Sequence, residues 1–335
     1  MAGNGEPIRD IAHLGHVELL TPKPEESLWY FTDVLGMERV HSEGQSVYLR
    51  GYGDYARTTL KLTEAEHAGV GHIAWRTASP QALERRARAI EETGLGMGWS
   101  NGDFGHGGCY RFRDPDGHQM EIYYDEQKYV APEELRSALR NLPMKYPAHG
   151  VGVRRTDHLA VLCKDVAANR EFMQRTLGAR LHEQVVFDNG TVEIGSWMST
   201  TQMHHEIAYV VDIKGMSGRL HHFSLWVDNR EAVLRAADLF MENDIFIEAG
   251  PSMHNNSQGF YLYSYEPGGN RIEIYTSGFF VFAPDFEPVI WDEQTRGTGV
   301  YWGAELPDSF LNYATPTEQD DDAPAREDVP VFDPQ

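Results

Sequence analysis

The chain has 335 residues, 29 of them basic and 51 acidic, and its formal charge of −22 leaves no basic footprint for nucleic acid or an anionic membrane. A composition of 41% hydrophobic and 11% aromatic residues describes a packed globular protein, and the length suggests about two domains. The two cysteines, Cys109 and Cys163, are far apart in sequence, which excludes a disulfide framework or thiolate zinc site and fits a reducing compartment; any metal must be held by histidine and carboxylate.

Met1 to Asp10 lacks the basic and apolar stretches of a signal peptide, and no span approaches the ~20 apolar residues of a membrane helix, so a cytoplasmic location is expected. Four segments then begin alike: Gly15-His16-Val17-Glu18, Gly71-His72-Ile73-Ala74, Asp157-His158-Leu159-Ala160 and His221-His222-Phe223-Ser224. Each is a short apolar run with a His near its start, which predicts a strand. Helices follow. Ser79-Pro80 supplies a capping hydroxyl and a first-turn proline, with Leu83, Ala87 and Ile90 on one face and Gly94 at the end. Asp165 opens another, with Val166, Phe172, Met173 and Leu177 inward and Gly178 at the stop. Gly36 follows His16 by 20 residues and Gly178 follows His158 by 20, so the units are kin.

Further strands are predicted at Val47–Leu49, Val185–Phe187, Glu206–Val211 and Arg271–Tyr275. The units therefore run strand, helix, strands at about 10–65, 70–125, 153–212 and 220–277. This divides the chain into an amino-terminal domain with its connector (1–150), a carboxy-terminal domain (151–313) and an acidic tail (314–335). The tail holds seven acidic residues, one Arg and four prolines, and is expected to be disordered. Before it, Phe279, Phe280, Phe282, Phe286, Trp291, Tyr301 and Trp302 are too apolar to float free and should pack over the last unit or another subunit.

His158, His222 and Glu273 stand on separate strands of the carboxy-terminal half. Two imidazoles and one carboxylate on rigid neighbouring strands form the facial triad that leaves three positions of an octahedral ion open, which suits Fe(II) and O2 activation; Mn(II) shares these ligand preferences. The segment His254, seven residues, Leu262-Tyr263, two residues, Glu266-Pro267, one residue, Gly269, three residues, Glu273 resembles the signature of type I extradiol ring-cleaving dioxygenases of the vicinal oxygen chelate superfamily. Ser252 and Asn255 depart from the residues usual at their positions.

The resemblance implies an α+β fold of four βαβββ units in two tandem vicinal oxygen chelate domains, the first metal-free and the second catalytic. It implies metal ligation by His158, His222 and Glu273, an acid/base role for His205, hydrogen bonding to substrate by His254 and Tyr263, and an aromatic pocket wall at Trp197. The implied reaction opens a catechol with O2 beside the diol, and the implied assembly is a homotetramer or larger. His204 and His221, beside two of these histidines, should point to the opposite strand face.

The amino-terminal half carries a matching set, His16, His72 and Glu121. Its surroundings differ: Tyr55 stands 17 residues before His72, as His205 does before His222, while Gly102 and Arg111 occupy the places of His254 and Tyr263. A ligand set without its supporting shell is expected to be a relic of duplication.

Relatives that prefer carboxylate-bearing catechols often place Arg five residues before the signature His. Ala249 stands there, so a neutral catechol, alkylcatechol or arylcatechol is expected. Two other readings use the same fold. A ligand-sequestering protein would not need His205, His254 and Tyr263 together; a dioxygenase of 2-oxo acids would share the triad but not the His254 to Tyr263 arrangement.

Overall fold

A computed structural model describes residues 9–295 and 299–317. The first half runs β1 (Ile11–Thr21), α1 (Pro24–Trp29), β2 (Glu38–Glu43), β3 (Ser46–Arg50), β4 (Leu60–Glu64), β5 (Gly69–Thr77), α2 (Pro80–Glu91), β6 (Gly96–Ser100), β7 (Cys109–Arg113) and β8 (Gln119–Tyr123). Its sheet has the order β2-β3-β4-β1-β5-β8-β7-β6. The second half repeats the plan with β9 (Arg155–Cys163), α3 (Val166–Thr176), β10 (Arg180–Phe187), β11 (Val192–Ser199), β12 (Ile207–Val211), β13 (Arg219–Trp226), α4 (Arg230–Glu242), β14 (Ile247–His254), β15 (Gly259–Tyr265) and β16 (Arg271–Ser277).

The duplication is visible in the pairing. β1 pairs antiparallel with β5 and parallel with β4, and β5 pairs parallel with β8. β9, β12, β13 and β16 reproduce those three relations. The fold is thus the expected α+β arrangement of four βαβββ units. Capping follows the sequence: Ser79 Oγ accepts from Ala82 N at 3.0 Å, Asp165 Oδ1 accepts from Ala168 N at 2.9 Å, and Gly178 ends α3 at φ +73°.

One apolar core spans both halves, running from Val17, Ile73 and Trp75 to Leu159, Phe223 and Ile274. Two carboxylates lock the halves together by related contacts. Asp114 accepts from His118 N, His118 Nδ1 and, across the interface, Tyr209 Oη at 2.8 Å. Glu266 of the signature segment accepts from the backbone of Gly268 and Asn270 and, across the interface, from Ser27 Oγ. Glu266 therefore shapes a turn and a domain contact, a buried charge satisfied by hydrogen bonds.

After Ser277 the chain adds β17 (Val289–Trp291), β18 (Val300–Trp302), α5 (Asp308–Asn312) and β19 (Thr315–Pro316). β17 extends the second sheet beside β10, and β18 beside β14. The aromatic segment thus covers units three and four, yet Phe280, Phe282, Tyr301 and Trp302 stay exposed. The expected disordered tail needs correction at its start: Thr315 pairs with Leu220 and the Thr317 amide donates to Gly218 O, because the first residues of β13 extend beyond its stretch beside β16 and leave backbone groups to be paired. Residues 318–335 lie outside the described residues. Among the described residues, no helix is long and apolar enough to cross a membrane.

Candidate metal centre and its cavity

β9, β13 and β16 are neighbours in the second sheet, and they bring His158, His222 and Glu273 to one point. His158 Nε2 lies 2.9 Å from Glu273 Oε2, and His222 Nε2 lies 3.7 Å from that oxygen and 3.3 Å from His158 Nε2. All three residues are buried.

The outward nitrogens fix the direction of each lone pair. His158 Nδ1 donates to Asp157 Oδ2 at 2.8 Å, and Asp157 is held by Arg155 at 2.7 Å, so Nε2 faces inward unprotonated in the neutral ring. His221 Nε2 donates to Phe310 O at 2.7 Å. Its Nδ1 must then accept from His222 Nδ1, 2.7 Å away, which leaves His222 Nε2 as a lone pair aimed at Glu273. Neither Glu273 oxygen has a hydrogen-bond partner, although the side chain is buried. Two imidazole nitrogens and a carboxylate converging on one point form a cation site. A divalent ion with mixed nitrogen and oxygen preference fits that donor set. Burial disfavours charge on His158, but the carboxylates of Glu273 and Asp157 outweigh it and raise its pKa to about 9.

The other sequence-selected residues surround this point. His205 packs against His158 with ring centroids 4.0 Å apart and the rings tilted by 47°. Burial, then the charges of His158 and His204, hold its pKa well below the ordinary histidine value, so the ring is neutral. His254 Nδ1 donates to Gly299 O at 3.2 Å, and its Nε2 accepts from Tyr263 Oη at 3.1 Å. Tyr263 stands directly opposite Glu273 in the β15–β16 register. Ser252, one of the departures from the signature, donates to Trp302 O and so fastens β14 to β18.

A cavity of about 480 Å³ opens above the centre. His158, His205, His222, His254, Tyr263 and Glu273 form its polar end; Phe187, Ile194, Trp197, Trp291, Phe310 and Leu311 are among its apolar walls. Among the described lining residues there is no Lys or Arg, and Ala249 is instead buried against Tyr261 and Tyr263.

His204 and His221 do not point away as strand alternation predicted. A register irregularity between Leu220 and His222 breaks the alternation in β13, and His204 precedes β12 in a loop. His204 Nδ1 lies 2.8 Å from His205 Nδ1, and His204 Nε2 lies 3.2 Å from Glu183 Oε1. Glu183 also accepts from Trp291 Nε1 at 2.9 Å. Sequence reasoning missed Asp157, Glu183 and His221 as supporting residues; only the Asp157-His158 adjacency carried a signal. It also missed α5 as a wall, because nothing local in Phe310 or Leu311 points to a site far away in sequence.

Comparison with known proteins adds the family. The model of the Glyoxalase/Bleomycin resistance protein/Dioxygenase superfamily matches residues 13–122 and 155–274. A metapyrocatechase of Geobacillus stearothermophilus is 47% identical over 314 residues, covering 93% of this chain and 95% of that protein. A manganese-dependent 2,3-dihydroxybiphenyl 1,2-dioxygenase of Geobacillus genomosp. 3 is 40% identical, covering 89% and 95%. The solved structure of homoprotocatechuate 2,3-dioxygenase from Brevibacterium fuscum, in anaerobic complex with 3,4-dihydroxyphenylacetate, superposes with a TM-score of 0.81 at 26% identity, covering 93% of this chain and 94% of that one.

Proposed function

We infer the function from the premise that this chain belongs to the Glyoxalase/Bleomycin resistance protein/Dioxygenase superfamily and, within it, to the extradiol dioxygenases. It is a catechol-cleaving enzyme that uses O2 to open the ring beside the diol, giving a 2-hydroxymuconic semialdehyde-type product. The relatives named here are all ring-cleaving dioxygenases, which gives the sequestering reading no support.

The observation that carries the mechanism is the convergence of His158, His222 and partnerless Glu273 at the polar end of an apolar cavity. These three residues would hold Fe(II) or Mn(II). When bound, such an ion acts as a Lewis acid that makes the diol easier to deprotonate and gives catechol and O2 a common meeting place.

The protein groups handle protons and orientation. The 2.8 Å contact between the Nδ1 atoms of His204 and His205 turns the other nitrogen of His205 toward the cavity, where a neutral ring can act as a base. His205 then takes a diol proton first and returns it during ring opening. That order gives the acid/base role expected from the sequence a direction, and it suits a ring kept neutral by burial. Tyr263 and His254 form a linked donor–acceptor pair able to hydrogen-bond a substrate oxygen. Trp197 and the other apolar walls hold the ring and exclude water.

The cavity of about 480 Å³ lies within the ordinary range of small-molecule pockets, about 300–1,000 Å³. Its apolar walls and lack of a described cation support a neutral alkylcatechol or arylcatechol. Exposed Phe280, Phe282, Tyr301 and Trp302 support a homo-oligomer, and two buried free thiols, Cys109 and Cys163, support a reducing compartment such as the cytoplasm. Anaerobic reconstitution with Fe(II) or Mn(II), followed by air and catechol, tests the reading. The yellow semialdehyde is expected, and no colour with either metal would overturn it.

A further inference from the structure

The amino-terminal half contains a cluster that differs from the set expected from the sequence. His106, on the loop between β6 and β7, joins His16 of β1 and Glu121 of β8 in a group of ligand atoms within 4.8 Å of one another, with His72 of β5 beside His16. Nε2 of His106, His16 and His72 lies 3.4, 3.6 and 3.8 Å from Glu121 Oε1, and His16 Nε2 is 2.9 Å from His72 Nε2. Side-chain exposure is 3% for His106, 7% for His16, 13% for His72 and 2% for Glu121.

The surrounding groups aim these atoms inward. His106 Nδ1 donates to Gly107 O at 2.9 Å, leaving Nε2 as a lone pair. His72 Nδ1 donates to Glu18 Oε2 at 2.7 Å, and Glu18 is held by Thr63 Oγ1 and Lys61. Glu121 Oε2 accepts from Cys109 Sγ at 3.1 Å, which leaves Oε1 for the cluster. His106 Nε2 and Glu121 Oε1 are both buried without a hydrogen-bond partner. A protonated His72 between Glu18 and His16 would satisfy that pair, but His106 and Glu121 would still face each other as two acceptors. A cation resolves the conflict.

The backbone is shaped for the same end. Gly102, at φ +84°, closes the loop that presents His106, where a Cβ would lie 2.0 Å from Gly107 O. A Cβ on Gly71 would lie 2.5 Å from Glu18 Oε2, so this glycine makes room for the carboxylate that orients His72.

We propose that His16, His72, His106 and Glu121 form a second, structural metal site that takes a zinc-like divalent cation. His16, His106 and Glu121 supply three ligand atoms within 4.8 Å of one another, and His72 Nε2, 2.9 Å from His16 Nε2, is the nearest donor for a fourth, which would close the shell as in structural zinc. None of the four residues lines the large cavity at Glu273. The ion would tie β1, β5, β8 and the His106 loop, none of them adjacent in sequence.

Zinc dialysis of the chelator-stripped chain tests this independently of ring cleavage. The native chain should bind two Zn(II) ions, E273Q one, H106Q one, and E273Q/H106Q roughly a tenth of an ion or less. In E273Q, Co(II) should give the intense visible absorption of a four-coordinate ion, and Zn(II) should raise Tm; both effects should vanish in E273Q/H106Q. His106 is on a loop, which favours retention of the fold in H106Q, and H72Q provides a second variant with the same expected loss. A native chain that binds a single ion, lost in E273Q, would overturn the site, as would H106Q and H72Q both retaining two.

Discussion

The Nδ1 atoms of His221 and His222 lie 2.7 Å apart, so two consecutive residues of one strand are joined ring to ring. His221 passes the orientation onward, because its far nitrogen is bonded to Phe310 O on α5. A helix near the end of the chain thereby sets which nitrogen of His222 faces the candidate metal centre.

Replacing His221 with Phe removes that support without touching a proposed ligand. Fe(II) or Mn(II) affinity should fall by about 10- to 100-fold. H221Q, whose side-chain oxygen can still accept from His222, should recover part of the loss. Metal titration of the purified variants measures both, and equal affinity in wild type and H221F would remove His221 from the support.

His205→Phe should leave metal content and catechol affinity near wild type while slowing ring opening by about 10²- to 10⁴-fold. Anaerobic catechol titration gives the binding arm and the semialdehyde absorbance gives the rate. Unchanged turnover would show that the proton passes elsewhere.

The cavity wall, which includes Glu305 but no described Lys or Arg, predicts a preference among substrates. kcat/KM should be higher for catechol, and for an arylcatechol that fills the cavity, than for 3,4-dihydroxyphenylacetate, whose carboxylate meets no described cation. The reverse order in parallel assays would contradict the assignment of this wall.

His182 predicts a pH dependence of stability. Its Nδ1 donates to His204 O at 2.7 Å, and burial pushes its pKa down to about 4 from 6.5. Between those values the unfolded chain binds a proton that the folded chain refuses. Stability should therefore be lost as pH falls through that window, with a contribution of up to about 1.4 kcal/mol per pH unit. H182N should flatten the slope in urea unfolding across the same range; an identical slope would assign the effect to other groups.

Legibility in the sequence followed the range of the interaction. Caps at Ser79 and Asp165 and the apolar face at Ala87 and Ile90 are local, and the structure repeats them. Strand alternation failed at His204 and His221 because one lies outside the strand and the other at a register irregularity. His106 was missed because matching the two halves by spacing set Gly102 against His254, whereas the folded loop delivers a residue four positions later.

By itself the sequence determined the four-unit repeat, the residue types of the ligand sets and the signature segment, since periodicity, caps and spacing are properties of the chain as written. Tertiary structure alone decided which nitrogen of each histidine faces inward, how large the cavity is and that α5 closes it. Those outcomes depend on partners such as Asp157, Phe310 and Glu18, and a lone pair points only where its ring's other nitrogen is held.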